Sequence, residues 1–358
     1  MRAESLAFFK KLLTEPSPSG YEAKAQAIWL NYARQFAEGW YTDAYGNAFA
    51  CINKGGSPRV MLTGHADEIG FIVGHIDDKG FVYLRAVGGI DTTSLRGKRL
   101  TIHSESGPVR GVFGATAIHL RDRDKANNAP KMHELFVDIG AVDKAAAEEL
   151  VSIGDAATLV DDFELLNEHI GVARAFDNRV GTFSAVEALR LLSEVDGLDA
   201  EVWAVATVQE EIGGDGAEMA AYSLKPDVCL AVDVTHATDT PGLSPSEHGD
   251  VKLGGGPTVS FGSVNHPVLV RRLKEAAAKA DIPLQFEVTP RATWTDLDSI
   301  SVQHGGIVGA VIGIPNRYMH TAVEMIDLRD LTRTAELMAA LVRDLRTGDD
   351  LKVPVLLD

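Results

Sequence analysis

The sequence predicts an α/β fold in which one core is interrupted by a β-rich insertion. Three observations predict it. Apolar β-branched runs alternate with amphipathic helical stretches at both ends of the chain. Between Phe71 and Val160 the texture changes to short β-rich pieces separated by Gly- and Asp-containing turns. After Gly171 the α/β alternation resumes. With 358 residues, 45% of them hydrophobic, the chain can bury a large core and form more than one domain.

Leu6 to Leu13 reads as a helix, stopped by the turn cluster Pro16-Ser17-Pro18-Ser19-Gly20. Tyr21 to Phe36 reads as a second amphipathic helix, and Asn47 to Ile52 and Arg59 to Leu62 as strands. The second strand runs into Thr63-Gly64-His65-Ala66-Asp67. In the insertion, Phe71-Ile72-Val73, Phe81 to Leu84, Arg99 to Ile102 and Val109 to Val112 predict a small barrel or sandwich. Asp122 to Lys131 reads as an exposed charged loop. Helices follow over Asn178 to Val195, His266 to Ala280 and Leu328 to Leu345. Strands follow over Val202 to Val208, Val228 to Val232 and Ile307 to Ile314. Ser244 to Val264, rich in Gly and Ser, reads as a turn-rich loop near a substrate cleft; it lacks the strand and GxxxxGK context of a phosphate loop.

The net charge of -17, from 51 acidic and 34 basic residues, argues against nucleic acid as a partner. It serves solubility, and some of the acids are available as ligands for divalent cations. Cys51 and Cys229, each inside an apolar stretch, read as buried reduced cysteines rather than a disulfide framework. The N-terminus has no apolar signal core, and no apolar run approaches the ~20 residues that span a bilayer. A cytoplasmic protein without membrane contact is expected.

Polar clusters fall where predicted strands end: His65-Ala66-Asp67, Asp177, Glu210-Glu211, Asp233 and His320. In α/β folds ligands gather beyond the carboxyl ends of strands. At the end of a strand Glu210 and Glu211 can point apart, one to a metal and one to a proton. Mixed nitrogen and oxygen ligands suit zinc, cobalt or manganese better than calcium or magnesium. A site for two ions about 3.5–4 Å apart needs a bridging carboxylate and further ligands for each, and these residues supply that number. Asp177 stands immediately before a helix, so residue type alone also allows a simple N-cap. The Asp67 carboxylate can hold the His65 ring and fix its tautomer. His236, His248 and His266 read as surface or capping histidines, and His119 and His133 belong to the insertion.

Five segments carry a resemblance: Gly64 to Phe71, Phe176-Asp177-Asn178-Arg179, Gln209 to Gly213, Asp233 to Gly242, and Arg317-Tyr318-Met319-His320-Thr321. Together and in this order, over nearly the whole chain, they resemble the tetrahedral aminopeptidases of the glutamyl-aminopeptidase-like, co-catalytic metallopeptidases. The resemblance implies an α/β/α di-metal aminopeptidase core, residues 1–70 and 165–358, with an inserted β-barrel-like dimerisation domain, residues 71–164. It implies two divalent ions per subunit, zinc with cobalt or manganese as alternatives. Asp177 bridges them; Glu211 and His320 complete one site, His65 and Asp233 the other. Glu210 is the general base and Asp67 orients His65. The implied reaction removes N-terminal residues from short peptides by attack of a metal-bound hydroxide. Dimers that build a tetrahedral dodecamer are the implied assembly. Gly214-Asp215-Gly216-Ala217, Thr295-Asp296-Leu297-Asp298 and Ala115 to Leu120 depart from the family pattern, which bears on substrate preference and assembly rather than on ligands. Other readings are a deacylase or carboxypeptidase on the same core, a glycosidase using paired carboxylates, and a metal-binding scaffold without turnover.

Overall fold

The computed structural model describes residues 1–120, 129–160 and 162–355. Most of the predicted charged loop, 122–128, lies outside the described residues. The chain opens with helices α1 (Ala3–Thr14) and α2 (Ala23–Ala33), then strands β1 (Gly39–Thr42), β2 (Ala48–Ile52) and β3 (Arg59–His65). Six strands form the insertion: β4 (Gly70–Ile76), β5 (Val82–Val87), β6 (Arg99–Ser104), β7 (Gly107–Phe113), β8 (Val137–Asp138) and β9 (Ala156–Leu159), with helix α3 (Lys144–Glu148) before the last. The core resumes with β10 (Glu164–Leu165), β11 (Ile170–Ala173), α4 (Phe176–Ser193), β12 (Glu201–Thr207), α5 (Asp215–Leu224) and β13 (Val228–His236). It ends with α6 (Pro245–His248), β14 (Thr258–Phe261), α7 (Pro267–Lys279), β15 (Gln285–Val288), α8 (Asp296–Ser301), β16 (Val308–Arg317), β17 (Glu324–Asp327) and α9 (Leu328–Asp344).

The core strands form one mixed sheet in the order β1-β2-β12-β3-β13-β16-β17-β11-β10, with β14 and β15 branching from β16. Its centre, β12, β3, β13 and β16, is parallel. These strands read as unbroken apolar runs because both faces are covered. The pleat sends Ala48, Ala50, Val202, Ala204, Leu230 and Ile312 to one side, where α1, α2, α4, α7 and α9 pack. It sends Phe49, Cys51, Trp203, Val205, Cys229 and Val311 to the other, against α5 and α8. Both cysteines are free and buried. The inserted strands close into a six-stranded antiparallel barrel, β4-β5-β8-β7-β6-β9, filled by its own cluster around Phe71, Leu84, Ile102 and Phe113.

Two close fits set up the site. Gly64 in β3 meets Gly181 in α4 backbone to backbone; a Cβ on Gly64 would lie 2.5 Å from the Gly181 carbonyl carbon. The strand end carrying His65 is thereby pressed against the helix start carrying Asp177. Beneath them, Glu68, buried, pairs with both Arg174 and Arg179. Arg179 also donates to the carbonyls of Ala66 and Glu15, tying the residues after β3 to the first helix.

Ser244 to Val264 is not wholly loop: Thr258–Phe261 is a strand. Hydrogen bonding to β15 and β16 overrides the weak local pattern of a four-residue segment next to glycines. No helix among the described residues is long and apolar enough to cross a membrane.

Candidate metal centre

Because β3, β12, β13 and β16 are parallel, their carboxyl ends share one edge of the sheet, and the predicted polar residues meet there. His65 is the last residue of β3 and is buried. Its Nε2 lies 3.2 Å from Asp177 Oδ1, 3.7 Å from Glu210 Oε2 and 3.8 Å from Asp233 Oδ1. His320 Nε2 lies 3.2 Å from the other Asp177 oxygen and 3.4 Å from Glu211 Oε2. Asp177 therefore presents one carboxylate oxygen to each of two clusters. In each of these, His65–Asp177–Asp233 and Asp177–Glu211–His320, the candidate ligand atoms lie within 4.8 Å of one another.

Asp177 is not the cap of its helix. Its backbone is non-helical and the Asp177–Asn178 peptide is cis. The cap is its neighbour: Asn178 Oδ1 accepts from the Gly181 N–H at 2.8 Å, while Asn178 Nδ2 donates to the Val232 carbonyl. That frees the Asp177 side chain to face the histidines.

Glu210 and Glu211 do point to different partners, but not through the pleat of a strand. β12 ends at Thr207, Gln209 is left-handed with φ 60°, and Glu210–Ile212 form a 3-10 turn. Asp67, fully buried, holds this turn: Oδ1 accepts from the Glu210 N–H at 3.0 Å, and Oδ2 from the Glu211 N–H at 3.1 Å and Ser19 Oγ at 2.6 Å. His65 Nδ1 is 3.1 Å from the Asp67 backbone carbonyl and 3.3 Å from its carboxylate. The carbonyl meets the directional requirements of a hydrogen bond, so we assign the ring's N–H to it, with the carboxylate adding charge. Left-handed backbone recurs at Ala175, Gln209 and His320, all non-glycine and all flanking the site, each costing of order 1 kcal/mol or more.

Sequence reasoning missed Glu324. It is buried on β17 and accepts from the backbone N–H of both Asp177 (2.9 Å) and His320 (3.0 Å), so it fixes two candidate ligands of one cluster from behind. An acid in the apolar run Val323-Glu324-Met325-Ile326 was the available signal. His236 lines the cavity of about 720 Å³ above the clusters, whereas His248, His266, His119 and His133 do not.

The electrostatics are those of an acid-rich hole. Burial pushes the Glu210 carboxyl up to about 7, against the pull of His65 and with the help of Asp296 and Asp177. Burial and the nearby Asp177 hold Glu211 well above the carboxylate range, and burial does the same for Asp233. Asp177 goes the other way: burial opposes its ionisation, but hydrogen bonds from His320 and His65 win. No Lys or Arg among the described residues lines the cavity. Glu211 Oε1 is buried with no hydrogen-bond partner among the described residues. Three mutually repelling acids, an orphaned oxygen and two imidazoles form a donor set that divalent cations fit and protein cations do not satisfy.

A mixed α/β sheet with an inserted six-stranded barrel and paired histidine–carboxylate clusters at the strand ends defines a metallopeptidase-type hydrolase. The chain matches the M42 glutamyl aminopeptidase family over residues 46–337 and belongs to it; it is an aminopeptidase of that family. It is 35% identical over 346 residues to a lysyl aminopeptidase of Pyrococcus furiosus, covering 95% of this chain and 97% of that one. Its fold superposes with a TM-score of 0.92 on a TET aminopeptidase from the marine sediment archaeon Thaumarchaeota archaeon SCGC AB-539-E09, at 30% identity over 96% of this chain and 97% of that one. A Pyrococcus horikoshii TET1 peptidase, which can assemble into a tetrahedron or a large octahedral shell, matches with a TM-score of 0.85 at 31% identity, covering 95% and 100% of the two chains.

Proposed function

We propose that the protein removes single residues from the free N-termini of short peptides with two divalent ions. His65 and Asp233 would hold one, Glu211 and His320 the other, and Asp177 both. The observation that carries this reading is the division of Asp177, one oxygen toward His65 and the other toward His320. A divalent pair supplies Lewis acidity and a water of lowered pKa; zinc fits the ligand types, as do cobalt and manganese.

The remaining chemistry falls to the chain's own groups. Glu210 is the general base: it lines the cavity beside His65 and belongs to neither ligand cluster, so it is free to accept the proton of the attacking water and return it to the leaving amine. Asp67 and Glu324 hold the backbone of the ligands from behind. The acidic cavity favours a positively charged α-ammonium group over a carboxylate terminus, which supports an aminopeptidase over a carboxypeptidase. Glu210 and Glu211 are sequence neighbours that face two different histidines, not carboxyls set on opposite sides of a sugar, so the glycosidase reading has no support.

The barrel is proposed as the dimerisation module of a tetrahedral dodecamer. Exposed apolar side chains on or beside it, Val112, Leu120, Val142 and Ile153, support this, as does the assembly of the P. horikoshii relative. Light scattering on the eluting protein tests it.

The activity is tested with aminoacyl-p-nitroanilides, free and N-acetylated. Cleavage of the free amines alone, abolished by chelation and restored by metal, is expected. Cleavage of blocked substrates would point to a deacylase on the same core. Bound metal with no turnover would leave a scaffold.

A further inference from the structure

The geometry points to Glu287 as the residue that selects a basic side chain, lysine or arginine, at the peptide N-terminus. This rests on the aminopeptidase reading above and names its substrate class. Six carboxylates line the cavity: Asp177, Glu210, Glu211, Asp233, Glu287 and Asp298. The first four are accounted for by the metal clusters and the general base. Asp298 is spent on its own loop, accepting from the N–H groups of Thr293 and Trp294 and from the Thr293 hydroxyl. Glu287 is different. It lies on β15, half-buried, and forms no ion pair among the described residues.

Its partners are three hydroxyls. Thr258 Oγ1 (2.9 Å) and Ser260 Oγ (2.5 Å) donate to Oε1, and Thr235 Oγ1 (2.5 Å) donates to Oε2. Hydroxyl donors hold a carboxylate in place without neutralising it, and with about four lone-pair sites it keeps room for one more donor. Thr235 sits two residues beyond Asp233 on the same strand, roughly 7 Å along it, so the two side chains leave the same face. A substrate whose α-amine lies at the metal clusters thus meets Glu287 about one long side chain away. Lysine's four-carbon stem spans that interval, with Val311, Ala292 and Met319 among the cavity's apolar contributions. Among the described residues the basic groups lining the cavity are His65, His236 and His320, so nothing there recommends an acidic substrate side chain.

The test compares lysyl- with norleucyl-p-nitroanilide, which share a stem and differ in the terminal amine, alongside leucyl and glutamyl substrates, in metal-loaded wild type and Glu287→Gln. Wild type is expected to favour lysyl over norleucyl by roughly 10- to 100-fold in kcat/KM, the range of one hydrogen-bonded charge. Glu287→Gln, which keeps one acceptor oxygen for Thr258 and Ser260 while the rotatable Thr235 hydroxyl turns to accept from the new amide, is expected to erase that preference while leucyl cleavage stays within about threefold. Calorimetric titration with L-lysinamide and L-norleucinamide reads the same contact without turnover. Parity between lysyl and norleucyl in wild type overturns the proposal, as does an equal loss on every substrate in the variant. Failure of wild type on every substrate with metal present instead overturns the aminopeptidase reading itself.

Discussion

Replacing Asp67 by Asn removes almost no volume, yet the structure predicts a severe loss. The carboxylate accepts on both oxygens: from the Glu210 N–H on Oδ1, and from the Glu211 N–H and Ser19 Oγ on Oδ2. An amide has only one oxygen. Its NH₂ must oppose either the Glu210 or the Glu211 backbone donor, and neither can turn away. The negative charge beside the His65 ring is lost as well. One buried hydrogen bond to a charged acceptor is worth roughly 1.5–3 kcal/mol. At about 2–3 kcal/mol the placement of Glu210 and Glu211 should cost about 30- to 150-fold in kcat/KM. Ser19→Ala removes only a donor that can be replaced by water, and should cost about fivefold or less. The assay is kcat/KM on leucyl-p-nitroanilide at saturating metal, with circular dichroism confirming the fold. An Asp67→Asn enzyme within threefold of wild type would refute the assignment of Asp67 as the support of the glutamate turn.

Glu210→Gln should keep its metal and lose kcat by roughly 10²- to 10⁴-fold; near-normal kcat in a metal-replete variant contradicts the general-base role. Glu68→Gln leaves the buried Arg174 and Arg179 without their shared anion and should destabilise the fold by about 3 kcal/mol, read as a lower urea midpoint; an unchanged midpoint contradicts it. His103, on the barrel strand β6, is held to about 4 by burial and by Arg174, Lys24 and Arg110, against the pull of Glu68. The unfolded chain takes up this proton near 6.5 and the folded protein does not, so its contribution to stability is unaffected above 6.5 and falls as pH drops from there to about 4. Allowing for its partial exposure, the loss is about 1–2 kcal/mol, and His103→Gln should flatten that part of the stability–pH curve. An identical curve would show that His103 does not carry it.

Much of this architecture was legible in the residues. The strands of the parallel centre announce themselves because burial on both faces leaves unbroken apolar runs, as in Glu201–Thr207. The last helix, Leu328–Asp344, shows its amphipathic period over almost its full length. Elements whose stability comes from tertiary neighbours were not legible. Asp215–Leu224 begins among glycines, and Thr258–Phe261, Gln285–Val288 and Glu324–Asp327 are four-residue strands. The candidate site was visible as residue types at strand ends, but not as geometry. Sequence cannot separate Asp177 as a candidate ligand from Asp177 as a cap; that distinction depends on Asn178 doing the capping. It also cannot show that Glu324 reaches back to Asp177 and His320 from another strand.

Asp177 is proposed to join two metal sites into one active centre. The most direct test is a metal titration of the chelated protein, following bound ions per chain together with leucyl-p-nitroanilide hydrolysis, in wild type and Asp177→Asn. Two ions per wild-type chain, activity that rises with their binding, and a variant that loses metal affinity and activity together are expected. Full activity in chelated wild type, or an Asp177→Asn chain that binds two ions and turns over normally, would contradict this.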